Sequence, residues 1–294
     1  MRFDASDDAV TLAVGCKVNL SLQITGRRMD GYHTLKSIFW PLAFPSDTLI
    51  VTRASHSGIR FSCDDPTLTT PDNIVIKTYN AFVQQTSFNP GLSVFLQKNI
   101  PYGAGLGGGS ADAAALLLCL NDMAISENLS GLPFEALVQL GARLGADVPF
   151  FLHNTPCAVR GIGEIIEPLQ SVMIQRLSGI HLVLTCPRIH VATAWAFAAW
   201  DEKYLADTLT NGDERDSSPH VRGVCIQNDL CKVVFDAYPK LEKTYVLLQS
   251  FGADVVSMSG SGASIFGLFE SAISAEKAVR FFHDSGESVF HHVL

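Results

Sequence analysis

Between Lys17 and Ile24 apolar and polar residues alternate without a break. Val18, Leu20, Leu22 and Ile24 fall on one face, and Lys17, Asn19, Ser21 and Gln23 on the other. A period of two predicts a strand, or part of a strand pair, within 10–25. It also sets Lys17 and Asn19 side by side, two residues apart. By itself a strand lysine is ordinarily a solvated one. The segments DTLIVTR and IRFSC, within 47–64, predict antiparallel strands. Pro71-Asp72-Asn73 caps a helix over Ile74–Gln85, with Ile76, Tyr79, Ala81 and Val83 facing inward. Leu92–Gln97 reads as a strand with Lys98 at its end, and helices follow over 110–121 and Phe134–Leu144. The second carries Phe134, Leu137, Val138, Ala142 and Leu144 at helical spacing and stops at Gly145. A Gly-punctuated connection at 158–169 suggests a division into domains 1–160 and 161–294. Beyond it the pattern predicts strands His181–Cys186, Val255–Met258, Ala263–Phe269 and 288–293, and helices 231–250 and 273–284. The polar stretch 201–222 predicts a mobile loop.

Against this background Pro101–Asn121, PYGAGLGGGSADAAALLLCLN, stands apart. Gly103, Gly105, Gly107, Gly108 and Gly109 crowd a loop that ends at Ser110 and opens directly into an alanine- and leucine-rich helix. Ser110 is the expected N-cap. Glycines this dense sacrifice backbone entropy, so something must require a bare backbone. First-turn amides and the positive end of a helix dipole form an anion site, and phosphate is its usual occupant. A flexible linker would run into polar sequence; this loop meets an apolar helix.

Two further stretches carry candidate chemistry. In GRRMDGYHTL (26–35), turns at Gly26 and Asp30-Gly31 hold Arg27 and Arg28, and Tyr32 and His33 follow. An aromatic beside a histidine serves either as a packed shelf or as a surface for a flat heterocycle. In LGADVPFFL (144–152), Asp147 precedes Val148-Pro149 in the pattern of a helix N-cap. The same apolar flanks would hold a carboxylate in one orientation as a base.

Composition narrows the classes. The 294 residues suffice for one large domain or two ordinary ones, and 47% hydrophobic content supports a full core. A formal charge of −8 argues against a nucleic-acid surface but leaves charged small molecules open. The seven cysteines are scattered without a CxxC pair, which indicates neither a zinc site nor a disulfide framework. No apolar run approaches the roughly 20 residues of a membrane span, and the acidic MRFDASDD is unlike a signal peptide. The expectation is a soluble protein of a reducing compartment, cytoplasmic or plastid stroma-like.

Gly103, Gly105 and Gly108 also satisfy the G-x-G-x-x-G spacing of a dinucleotide site. The context is wrong, however: Asp122 falls at the helix end and no parallel strand follows. No Gly-Lys-Ser/Thr follows the loop as in a P-loop, and a protein-kinase loop lies between strands. PYGAGLGGGSADAAA instead resembles the P-x-x-x-G-L-G-G/S-S-A motif of the GHMP kinases. CKVNL and MSGSGASIFGLF are similar to that family's first and third motifs, in the right order. KVNLSLQITGRRMDGYHTLKSIF, DNIVIKTYNAF, LGADVPFFL and RGIGE narrow the resemblance to the branch acting on a cytidine diphosphate-linked polyol.

The resemblance implies an α+β, two-lobed fold, with an N-terminal lobe like ribosomal protein S5 domain 2 and a ferredoxin-like C-terminal lobe. It implies ATP-dependent phosphorylation of an alcohol. Pro101, Tyr102, Gly103, Ala104, Gly105, Leu106, Gly107, Gly108, Gly109, Ser110 and Ala111 would wrap the ATP phosphates, with Asn73 and Lys98 near the nucleotide. Asp147 would be the base and Lys17 its electrostatic partner; Asn19, Tyr32, His33 and Phe197 would contact the substrate. Mg2+ would bridge the phosphates, with Ser110 a candidate ligand. A monomer or weak homodimer with no nucleic-acid or membrane partner is expected. The chain departs from the family in three places. Gly15-Cys16-Lys17 stands for Pro-Ala-Lys, Arg188–Trp200 lacks the expected prolines, and Asp112 sets a carboxylate near the phosphates. That carboxylate would repel ATP unless it turns away or binds Mg2+. A kinase of another small alcohol, of homoserine or mevalonate type, and a catalytically silent nucleotide-binding relative are the alternatives.

Overall fold

The computed structural model describes residues 8–211 and 219–294. β1 (Ala9–Arg27) contains the Lys17–Ile24 alternation and pairs with β2 (His33–Arg53). β3 (Ile59–Cys63), α1 (Ile74–Thr86), β4 (Leu92–Gln97), α2 (Gly108–Ser126), α3 (Phe134–Leu144) and α4 (Val148–His153) follow. After β5 (Cys157–Gly161) and β6 (Ile165–Pro168) come α5 (Ser171–Leu177), β7 (His181–Cys186) and α6 (Thr193–Asn211). β8 (His220–Val221), β9 (Val224–Cys225), α7 (Cys231–Ala237) and α8 (Pro239–Ser250) lead to β10 (Val255–Met258) and β11 (Ile265–Phe269). α9 (Ala272–Asp284) and β12 (Ser288–Val293) close the order. The chain forms two compact α+β units that interleave in sequence. The first takes residues up to Cys16, Ala43–Ile100 and Gly107–Thr155; the second takes Lys17–Leu42, Pro101–Leu106 and Pro156–Leu294.

In the first unit, Thr48–Arg53 of β2 pairs antiparallel with β4, and β4 pairs parallel with β3. DTLIVTR and IRFSC therefore run antiparallel, as the sequence predicts, with β4 lying between them. A parallel pair needs a crossover connection, and α1, lying between β3 and β4, supplies it. α1 buries Val75, Thr78, Tyr79 and Phe82, an i, i+3, i+4, i+7 stripe. Of the four positions expected to face inward, only Tyr79 does so fully. α2 packs against α1, α3 and α4 and is buried almost all round. Its alanines let those helices approach closely.

In the second unit, β10, β11, β7 and β12 form an antiparallel sheet in that order. Val183, Ile265 and Phe269 from the sheet pack with Ala275 and Phe282 of α9, Trp200 of α6, and Leu22 and Ile24 of β1. Leu35–Phe39 of β2 pairs with β5, and β5 with β6. Two sequence expectations change here. Residues 201–211 continue α6 instead of forming a loop; 212–218 lie outside the described residues, and β8 pairs with β9 beyond them. The helix expected over 231–250 divides at Tyr238-Pro239, because a proline has no N–H for the preceding helix and is suited to the first turn of a new one. Among the described residues no helix is long and apolar enough to cross a membrane.

Candidate functional site

Lys17 is not the solvated strand residue that its type suggests; it is 3% exposed. Its Nζ donates to Asn19 Oδ1 and lies 4.7 Å from the centre of the Phe39 ring. Asn19 is fixed in turn: its amide N donates to Ser259 Oγ (3.1 Å) and its Nδ2 to Ser37 Oγ (3.2 Å). The strand's polar stripe thus becomes a buried cation beside an oriented carboxamide, a pairing suited to an anionic or hydroxyl-bearing ligand.

The first half of the glycine loop, Pro101–Leu106, belongs to the same unit. Lys17 N donates to Leu106 O (3.0 Å), Ser264 N to Ala104 O (3.2 Å) and Ser259 Oγ to Gly105 O (2.9 Å). Gly105 has φ +75°, and a Cβ there would stand 2.1 Å from Ser259 O, so glycine is required. The turn that carries Ser259 is braced by Asn228, whose Nδ2 donates to Met258 O and Gly260 O, both at 2.7 Å. The MSGSG segment is therefore a seat for the loop. Tyr102 is exposed, its ring nearly parallel to that of His190 at 5.9 Å.

The expected base-reading residues lie in this unit too. His33 Nε2 donates to Asp201 Oδ1 at 2.7 Å, since a carboxylate can only accept. The Phe197 ring stacks on His33, centroids 4.8 Å apart, with Trp200 edge-on at 6.1 Å. Arg27 Nη1 meets the other oxygen of Asp201 at 3.2 Å. Tyr32 is 62% exposed. His33 and Phe197 are thus brought together, held by an aspartate absent from the sequence-derived set. Asp201 opens a polar stretch that carries no signal of its own. Ser259 and Asn228 are likewise outside that set; the first lies in a recognisable motif, the second in an unpatterned loop.

In the first unit, Gly107, at φ +73°, is the N-cap of α2, and no side chain caps the helix. Ser110 is accordingly the third helical residue and not the cap expected from sequence, because the left-handed glycine turns the chain into the helix earlier. First-turn amides that no side chain claims are what an anion site needs. Asp147 does occupy the N-cap position of α4, but its side chain makes no capping bond. Buried Val148, Pro149 and Phe150 follow it directly. Asn73 caps α1: Oδ1 accepts from Val75 N and Nδ2 donates to Leu68 O, both at 2.9 Å. Lys98 Nζ is held by Asp47 Oδ2 and, at 3.0 Å, by Asp112 Oδ2. Burial pushes the Asp112 carboxyl up to about 7; Lys98 opposes that shift and Asp47 adds to it. Burial alone would lower Lys98, but Asp112 and Asp47 more than offset it and hold the ammonium above its ordinary value. Asp112 therefore turns inward, toward Lys98. Ser110 and Asp147 lie in the first unit, and Lys17, Asn19, His33 and Phe197 in the second.

A glycine loop opening an uncapped helix and a desolvated lysine on the first strand define a small-molecule kinase. The model of the GHMP kinases N terminal domain matches residues 73–155, and that of the GHMP kinases C terminal matches 217–288. The 4-diphosphocytidyl-2-C-methyl-D-erythritol kinase of Nitratidesulfovibrio vulgaris (strain Hildenborough) is 43% identical over 98% of this chain and 100% of its own length. Its counterpart in Lawsonia intracellularis is 40% identical over 90% of both chains. A crystal structure of 4-(cytidine 5'-diphospho)-2C-methyl-D-erythritol kinase, 29% identical, matches with a TM-score of 0.76 over 96% of this chain and 98% of that one. Homoserine kinase from Cytophaga hutchinsonii, at 18% identity and a TM-score of 0.68 over 100% of this chain and 96% of that one, shares the fold. The chain belongs to the 4-diphosphocytidyl-2-C-methyl-D-erythritol kinase family of the GHMP kinases.

Proposed function

We propose that this protein transfers the γ-phosphoryl group of ATP to the 2-hydroxyl of 4-diphosphocytidyl-2-C-methyl-D-erythritol, in the methylerythritol phosphate route to isoprenoid precursors. The observation that carries the reading is the 43% and 40% identity, over 98% and 90% of the chain, to relatives of that name. The residues add chemical support. An alcohol must lose its proton as its oxygen bonds to phosphorus, and Asp147, at the N-cap position of α4, accepts that proton. Lys17, buried beside Asn19, lowers the cost of the developing alkoxide and of charge on the moving group. The first-turn amides of α2 and the loop backbone from Pro101 to Ala111 receive the phosphates. Ser110 would offer Mg2+ a hard neutral oxygen of the kind it accepts alongside phosphate and water. When bound, the ion neutralises charge on the β- and γ-phosphates. His33, oriented by Asp201 and stacked on Phe197, reads the base edge together with Tyr32, and Asn19 contacts the polyol.

The test is ADP release with this alcohol against a panel including homoserine and mevalonate. Turnover with the cytidine-linked alcohol, reduced at least a hundredfold in Asp147→Asn at unchanged ATP affinity, is the expected result. Preference for another alcohol, or ATP binding without any turnover, would reject the assignment.

A further inference from the structure

The two chain segments that flank the glycine loop in sequence, 98–100 and 107–112, carry a buried ion cluster for which phosphoryl transfer has no use. Asp47, fully buried on β2, accepts from the amides of Asn99 (2.7 Å) and Ile100 (2.8 Å) as well as from Lys98 Nζ. Asp64 takes the preceding amide, Lys98 N, at 2.9 Å. Three consecutive amides at the exit of β4 are thus held by carboxylates. From that exit Lys98 Nζ also reaches Asp112 Oδ2 in α2 (3.0 Å), while Asp112 Oδ1 is buried with no hydrogen-bond partner. Ile100 packs against the start of the helix, where a Cβ on Gly108 would lie 3.0 Å from Ile100 Cγ2.

Such a cluster is a poor device for stability. Removing three charges from water offsets most of their attraction, and one lysine between two carboxylates leaves a charge uncompensated. The best-attested use of a buried ionic group is to specify one geometry among several. The geometry specified here is the register of residues 98–100 against the first turns of α2. We propose that Lys98, Asp47 and Asp112 form a staple across the base of the glycine loop, fixing where the first-turn amides of α2 stand. Lys98 is then a positioning residue, not a nucleotide ligand. Two of its three N–H bonds are already committed to carboxylates, and withdrawing it toward a phosphate would leave Asp47 and Asp112 facing each other. The proposal rests on the reading that this loop binds ATP.

The sign of one substitution separates the staple from simple electrostatics. If Lys98 bound phosphate, or if Asp112 merely repelled it, removing Asp112 would tighten ATP binding. With the staple, removing it weakens binding. Fluorescence titration with mant-ATP, at a temperature where every variant is folded, reads this without the alcohol substrate. Asp112→Ala is expected to raise Kd about tenfold, and Asp112→Asn, which keeps an acceptor for Lys98, to stay within threefold of wild type. The charged groups acting on Asp112 are Lys98 from the β4 exit and Asp47 from β2, while α1 presents Ile74 to the start of α2. Tighter or unchanged binding in Asp112→Ala overturns the staple, whether or not the melting temperature of that variant falls. No saturable mant-ATP binding by the wild type would instead overturn the ATP reading, and the staple with it.

Discussion

Gly105 and Gly109 look interchangeable in a string of glycines, yet their surroundings give them different work. A Cβ at Gly105 would collide with Ser259 O at 2.1 Å and would need φ +75°, whereas at Gly109 the nearest atom is Ile74 Cγ2 at 3.8 Å. Gly105→Ala therefore strains the seat of the loop, and destabilisation above about 1 kcal/mol is expected. Gly109→Ala replaces a helical glycine where a Cβ makes only ordinary contact and should leave stability unchanged or raise it by up to about 1 kcal/mol. Its effect falls on the ligand: if phosphate needs the bare backbone, KM for ATP rises several-fold while the unfolding midpoint does not fall. Denaturation and kinetics on the two variants distinguish a glycine kept for packing from one kept for a ligand. This division was not legible in the sequence, where the loop announced only close approach. Lys17 was legible as a residue but not in its state, because Phe39 beside it, and the Ser37 and Ser259 that fix its strand neighbour Asn19, come from other parts of the chain.

At the scale of elements, local signals were read well and non-local pairing was not. The period-two run at Lys17–Ile24 and the helix Phe134–Leu144 are products of near-neighbour patterning, and both stand as expected. The partnership of β3 with β4 depends on a crossover through α1, and nothing in IRFSC says which strand it will join. The aromatic and polar residues of 193–211 form one helix although half of it is polar, because Ala196 and Trp200 anchor it to the core. Asn73 illustrates how an element can claim a residue expected elsewhere. Both ends of its side-chain amide are used in holding the start of α1, which makes it first a cap. Asn73→Ala should cost about 1 kcal/mol of stability in chemical denaturation, and Asn73→Asp, which keeps the cap acceptor, distinctly less. Equal losses in the two would place the stabilisation in the Leu68 contact instead.

At the scale of the whole molecule, 29 acidic residues against 21 lysines and arginines give the chain a net charge of −8, yet Asp47 and Asp112 are withdrawn from water, at 0% and 1% exposure, and share Lys98 in its place.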